Sequence, residues 1–148
     1  MVEAARDSDL KTGFTMHYHE TREHVHRLEE IFLKLAEDPE GKTCHAMIGL
    51  IKESKEVIDE WANQEVKDAA LITVAQQIEH YEIAGYGAVR SYANLLEHFE
   101  AADWLQATLD EEAVTDKKLI AASRKINPRV PSCHHRGRLH LKSDVISL

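Results

Sequence analysis

Three observations predict an all-α fold. Charged residues make up 30% of the chain, which is rich in Glu, Lys and Ala and has only six Gly and three Pro. No long strand-like alternation of Val, Ile and Thr is visible. Four stretches instead space their apolar residues at three- and four-residue steps, the period of an amphipathic helix. With 148 residues, 43% of them apolar, the chain is long enough for one domain with a real core.

The first helix is expected over about 9–36, with Ser8 as N-cap. Its seam reads Phe14, His17, Thr21, His24, Leu28, Ile31 and Leu35, polar in the middle and apolar towards its C-terminal half. Asp38, Pro39 and Gly41 supply the stop. The second helix is placed from Thr43, as N-cap, to about Trp61. Its stripe of Cys44, Met47, Ile48, Ile51, Ile58 and Trp61 is that of a packing helix without a ligand set. The third runs over about 65–96, with Ile72, Gln76, Glu79, Ile83, Tyr86, Val89, Ala93 and Leu96 on its seam. Gly85 and Gly87 flank Tyr86, where they would bend the helix or admit a close neighbour. The fourth spans about 101–125, with seam Ala102, Leu105, Leu109, Glu112, Asp116, Leu119 and Ile126, and ends at Asn127-Pro128. Helical packing thus covers 7–128. From 129 to 148 the helical period is lost and the charge turns to +3 against −11 for the rest, the pattern of an atypical disordered or extended tail.

The net charge of −8 argues against a nucleic-acid binder, which needs a basic footprint. No signal peptide and no apolar run near 18 residues is present, so neither export nor a membrane is indicated. Cys44 and Cys133 lie far apart and form no CxxC pair, as in a reduced cytoplasmic protein. Cys133, His134, His135 and His140 match no standard zinc-finger spacing. There is no Gly-rich phosphate loop and no G-x-S-x-G.

Three carboxylates break the apolar seams. Glu20, Glu79 and Glu112 each lie near the middle of a helix, with His17 and His24, Glu82 and Asp116 respectively one turn away. A buried carboxylate without a partner is costly, so such groups pair, take a proton or bind a metal. Inward-facing Glu and His on several helices build a di-metal carboxylate bundle, and imidazole with carboxylate suits iron, manganese or zinc. The competing reading is a solvated acidic face, or a salt bridge from Glu112 to Arg22 or Arg90.

Four blocks in order carry a family resemblance: His17-Tyr-His-Glu-Thr-Arg-Glu-His24 with Arg27-Leu-Glu-Glu-Ile-Phe32, Gly41-Lys-Thr-Cys44, Glu79-His-Tyr-Glu-Ile-Ala-Gly-Tyr86 and Thr108-Leu-Asp-Glu-Glu112. Over roughly 7–128 the chain resembles the bacterial YciE/YciF ferritin-like proteins. The resemblance implies a ferritin-like four-helix bundle of up-down type and a dinuclear iron or manganese site, in a family associated with stress responses. Carried onto this sequence, the metal ligands are His17 and Glu20, Glu79 and Glu82, and Glu112 with Asp116. Family members begin with a further helix that donates a Glu, and Met1 to Ser8 is too short to replace it. An apolar face including Phe14, Ile51 or Ile83 is therefore expected to lack internal cover, and a homodimer or higher homo-oligomer to supply it. Two functions follow: a di-metal carboxylate protein of oxidative or general stress response, or a non-catalytic helical scaffold whose core acids are salt-bridged or solvated. Whether the chain is an enzyme stays open, and nothing in the sequence encodes the contacts of an iron-storage cage.

Overall fold

The computed structural model describes residues 1–60 and 63–131. Four helices hold most of them, in the order α1 (Ser8–Leu35), α2 (His45–Asp59), α3 (Gln64–Leu95) and α4 (Phe99–Ile126), and no strand occurs among the described residues. A single 3-10 turn, Asn127–Arg129, follows at the Asn-Pro stop. Trp61, Cys133, His134, His135, His140 and almost all of the 129–148 tail lie outside the described residues.

The architecture is the expected all-α, up-down, four-helix-bundle type. Side-chain pairs give the register. On α1 and α4, Lys125 Nζ lies 3.3 Å from Asp9, His24 lies 2.9 Å from Glu111, and Lys34 bonds Glu100. The partner number falls as the first rises, so the two helices are antiparallel. Gln76 with Asp116 and Arg90 with Gln106 make α3 antiparallel to α4 in the same way. Helix α2 packs on α3, with Cys44 Sγ 3.0 Å from the Tyr81 hydroxyl.

The caps correct two expectations. Asp7, not Ser8, caps α1, its carboxylate accepting from the backbone N–H of Asp9 and Leu10. Cys44, not Thr43, caps α2, its sulfur accepting from Met47 N–H. Helix α1 ends earlier than its Pro and Gly signals, at Ala36, whose φ of 55° closes the helix in the left-handed conformation. Gly85 and Gly87 neither break α3 nor admit a close neighbour, since a Cβ on either would meet nothing within 4 Å.

The main apolar cluster joins Leu10, Phe14, Leu71, Ile72, Ala75, Leu119 and Ile126. Phe14 is 7% exposed, against the expectation that its face lacks cover: the segment of Met1, Val2, Ala4 and Ala5 packs on this cluster. Ile51, at 43% exposed, does lack cover, because α2 packs mainly on α3 and, among its described residues, buries just Ser54.

Asp68 ties the N-terminal segment to α3. Its carboxylate is 4% exposed and accepts backbone N–H bonds from Arg6 and Asp7, both at 2.9 Å. Bonds to a charged acceptor contribute more than neutral ones, and orphaning the donors adds a desolvation cost. Asp68→Ala should therefore cost about 2–4 kcal/mol, measured as a lower midpoint in urea with unchanged slope. An unchanged midpoint would mean that the tie contributes nothing.

Candidate metal centre

The heights of α1, α3 and α4 coincide at one level of the bundle. There the structure gathers His17, Glu79, Glu82 and Glu112, each offering one donor atom, all within 4.8 Å of one another. Glu112 is 0% exposed and Glu79 2%. His17 Nε2 stands 3.1 Å from Glu79 Oε1 and 3.9 Å from Glu112 Oε2. Glu79 Oε2 and both oxygens of Glu112 are buried without a hydrogen-bond partner.

The other two expected ligands stand outside this group. Glu20 Oε2 is 3.7 Å from the opposite ring nitrogen of His17, accepts from Thr115 at 3.5 Å, and turns its other oxygen towards Lys118. Asp116 accepts from Gln76 at 3.0 Å and lies 3.1 Å from His80 Nε2. Neither Arg22 nor Arg90 pairs with Glu112. Its charged neighbours are histidines, and Arg90 bonds Gln106 instead.

Glu111 lies in the acidic run Asp110-Glu111-Glu112, a pattern that usually faces solvent. In the structure Glu111 is half-buried, accepts from His24 Nε2 at 2.9 Å, and takes a two-pronged bond from Arg27. His24 is 2% exposed, and its Nδ1 lies 3.0 Å from Glu112 Oε1. The His17–His24 spacing of seven residues, two turns on one face, was the available signal for its depth. The pairing with Glu111 depends on the α1–α4 register, which no local pattern encodes.

A cavity of about 130 Å³ opens beside the group, with Leu10, Phe14, Ala75, Ile78 and Leu119 on its walls and His17 and Glu79 at its polar part.

This geometry sits on a chain that matches, over residues 1–129, the family model described as a domain of unknown function, DUF892. The chain belongs to the DUF892 family. Escherichia coli K12 Protein YciF is 40% identical over 124 residues, 80% of this chain and 72% of YciF. The crystal structure of the E. coli stress protein YciF superposes with a TM-score of 0.82 at 36% identity, covering 86% of this chain and 81% of that one. YcfI of Rhodopseudomonas palustris, described as a candidate structural protein, superposes with a TM-score of 0.77 at 41% identity over 80% and 76% of the two chains. The YciE/YciF resemblance and the helical-bundle fold stand on these matches.

Crowding of like charge sets the electrostatics of this DUF892 core. Burial, then the field of Glu112, pushes the Glu82 carboxyl up to about 6, with His17 and His24 pulling the other way. Burial also raises Glu112. The neighbouring His24 imidazole opposes it and the presence of Glu79 adds to it. Burial lowers the two imidazoles, but carboxylate contacts win: Glu79 and Glu112 raise His17, and Glu112 and Glu111 raise His24. Tyr86, half-buried beside Glu82 and Glu112, is pushed up to about 12.

The signs agree across the site. A raised carboxyl means that the native state holds a proton the unfolded state has released, so stability is lost as pH climbs from 4.5 to about 6. For Glu82 this amounts to at most about 2 kcal/mol. A raised imidazole contributes stability that is fully present below 6.5 and disappears as pH rises through the folded value. The metal-free protein should therefore melt lower at pH 8 than at pH 5.5. Glu112→Gln keeps the shape, removes the buried charge and gives His24 Nδ1 an N–H donor. It should raise the metal-free melting temperature at pH 8 by about 2–5 °C and flatten the pH dependence. Identical melts for both proteins at both pH values would mean that Glu112 is an ordinary solvated carboxylate.

Proposed function

We propose that this chain is a ferritin-like di-metal carboxylate protein of the stress-associated kind represented by YciF, with iron or manganese at the His17–Glu79–Glu82–Glu112 group. The observation that carries this reading is the orphaned set of buried oxygens. Glu79 Oε2 and both Glu112 oxygens are buried without a hydrogen-bond partner, with the His24 imidazole 3.0 Å from Glu112 Oε1, and burying carboxylates without partners is costly. A cation at their centre would satisfy all of them. Donors opposite one another on an ion with bonds of about 2.1 Å are about 4.2 Å apart. The observed 4.8 Å limit is therefore a few tenths of an ångström wider than a coordinated set. One imidazole nitrogen and several carboxylate oxygens are the donors that iron and manganese accept.

In this reading His17, Glu79, Glu82 and Glu112 hold the metal, and Glu20 and Thr115 orient His17 from its far side. Bound iron or manganese supplies one-electron chemistry towards oxygen or peroxide. The cavity beside His17 and Glu79 is walled largely by apolar side chains. Elemental analysis of protein purified without added metal should find one to two iron or manganese per chain, and none in Glu112→Gln. Absence of metal in both, with metal additions leaving the melt unchanged, would favour the second reading. That reading is a scaffold in which shared protons between His17 and Glu79, and between His24 and its two glutamates, neutralise the core. The 3.1 Å and 2.9 Å pairs favour it.

Self-association is part of the proposal. Leu33, Leu95, Leu96 and Phe99 are 61–79% exposed, near the end of the bundle where Lys34 meets Glu100. An apolar surface of this kind marks an interface. Light scattering at micromolar concentration should give a homodimer or larger. A monomer would refute it.

A further inference from the structure

Three helices leave a space open beside His17 and Glu79. Its walls are Leu10 and Phe14 from α1, Ala75 and Ile78 from α3, and Leu119 from α4. All of these but Ile78 are buried. Exposed Asp9 and Lys118 also line it, so it opens to solvent on the α1–α4 side.

Small residues create this space. Gly13 on α1 and Ala122 on α4 border it together with Ala75. Gly13 has no positive φ, and a Cβ placed on it would meet nothing within 4 Å. Neither backbone conformation nor close packing therefore asks for glycine here. In the middle of a helix it costs roughly 0.5–1 kcal/mol relative to alanine. Interiors normally fill to near-crystalline density, so an unfilled seam bordered by a glycine with no structural reason is a feature to explain.

The cavity measures about 130 Å³. Apolar cavities of about 150 Å³ bind benzene or xenon and stay free of water, which needs about two to four polar partners. Leu10, Phe14, Ala75, Ile78 and Leu119 offer no such partner. Glu79 is 2% exposed, and its Oε2 is buried without a hydrogen-bond partner. A carboxylate in that position repels an anion and leaves a neutral guest unopposed.

We propose that this cavity is a binding site for a neutral apolar compound, about one aromatic ring or a short alkyl chain in size, with one edge against His17 and Glu79. Binding of the guest does not depend on a metal. Its role rests on the metal reading above: the guest lies beside the group that would hold iron or manganese, so small apolar molecules are the substrate class presented to that centre.

Toluene serves as the probe, on the full chain kept metal-free with EDTA. A saturable titration should show nuclear Overhauser contacts from the toluene ring to the methyl groups of Leu10, Ala75 and Leu119. Gly13→Leu has room to grow into the cavity and removes a helix-interior glycine, so it should fold and lose toluene binding. Ala122→Leu takes its place if circular dichroism shows that Gly13→Leu does not fold. Benzoate, the same ring bearing a negative charge, should not bind. Absence of these contacts at saturating aqueous toluene, or undiminished binding in a folded cavity-filling variant, would overturn the inference. Benzoate bound as tightly as toluene would overturn the neutral class. None of these outcomes bears on the metal reading, which elemental analysis tests separately.

Discussion

Buried negative charge at one level of the bundle governs the interior of this protein. Two carboxylates that solvent barely reaches, Glu79 and Glu112, stand beside a third at Glu82, inside helices whose remaining inward positions are largely apolar. In a low-dielectric interior such charges repel one another and lose hydration together. The raised Glu82 and Glu112 carboxyls are the direct consequence, and the two raised imidazoles are the counterpart on the basic side. A core of this composition has to be completed by protons or by cations.

The surrounding structure holds that cluster in place. The antiparallel α1–α4 pair is fixed along its length by Asp9–Lys125 near one end, Arg27–Glu111 further along and Lys34–Glu100 at the other end. Most of these pairs are exposed and contribute little energy singly. Their value is in the register they share, which sets His17 opposite Thr115 and His24 opposite Glu111 and Glu112. Asp68 does the same for α1 and α3, joining backbone groups at residues 6 and 7 to a buried carboxylate. His17 then meets Glu79 about three turns further along both helices.

Helix α2 packs at the edge of the bundle. It touches α3 and leaves Ile48 and Ile51 in solvent, while the exposed Leu33, Leu95, Leu96 and Phe99 mark a second uncovered region. The metal-candidate group does not depend on α2, since its residues come from α1, α3 and α4 alone.

The sequence by itself determined the all-α class, the four helices to within a few residues, and the breaks in their apolar seams at His17, Glu79 and Glu112. These are local properties, set by three- and four-residue periodicity and by the cost of a carboxylate at an inward position. Tertiary structure alone decided which members of each polar turn converge. Glu20 and Asp116 lie on the same helices at plausible spacing, yet Thr115 and Lys118 engage the first, and Gln76 and His80 the second. Glu111 sits beside Glu112 in an acidic run and reads as solvated, but the α1–α4 register brings His24 and Arg27 onto it. The choice between Asp7 and Ser8, or Cys44 and Thr43, as caps was likewise settled by where the chain enters each helix. Rotation about a helix axis and sliding along it are collective degrees of freedom. Contacts between elements distant in sequence fix them, and no window of neighbouring residues contains that information.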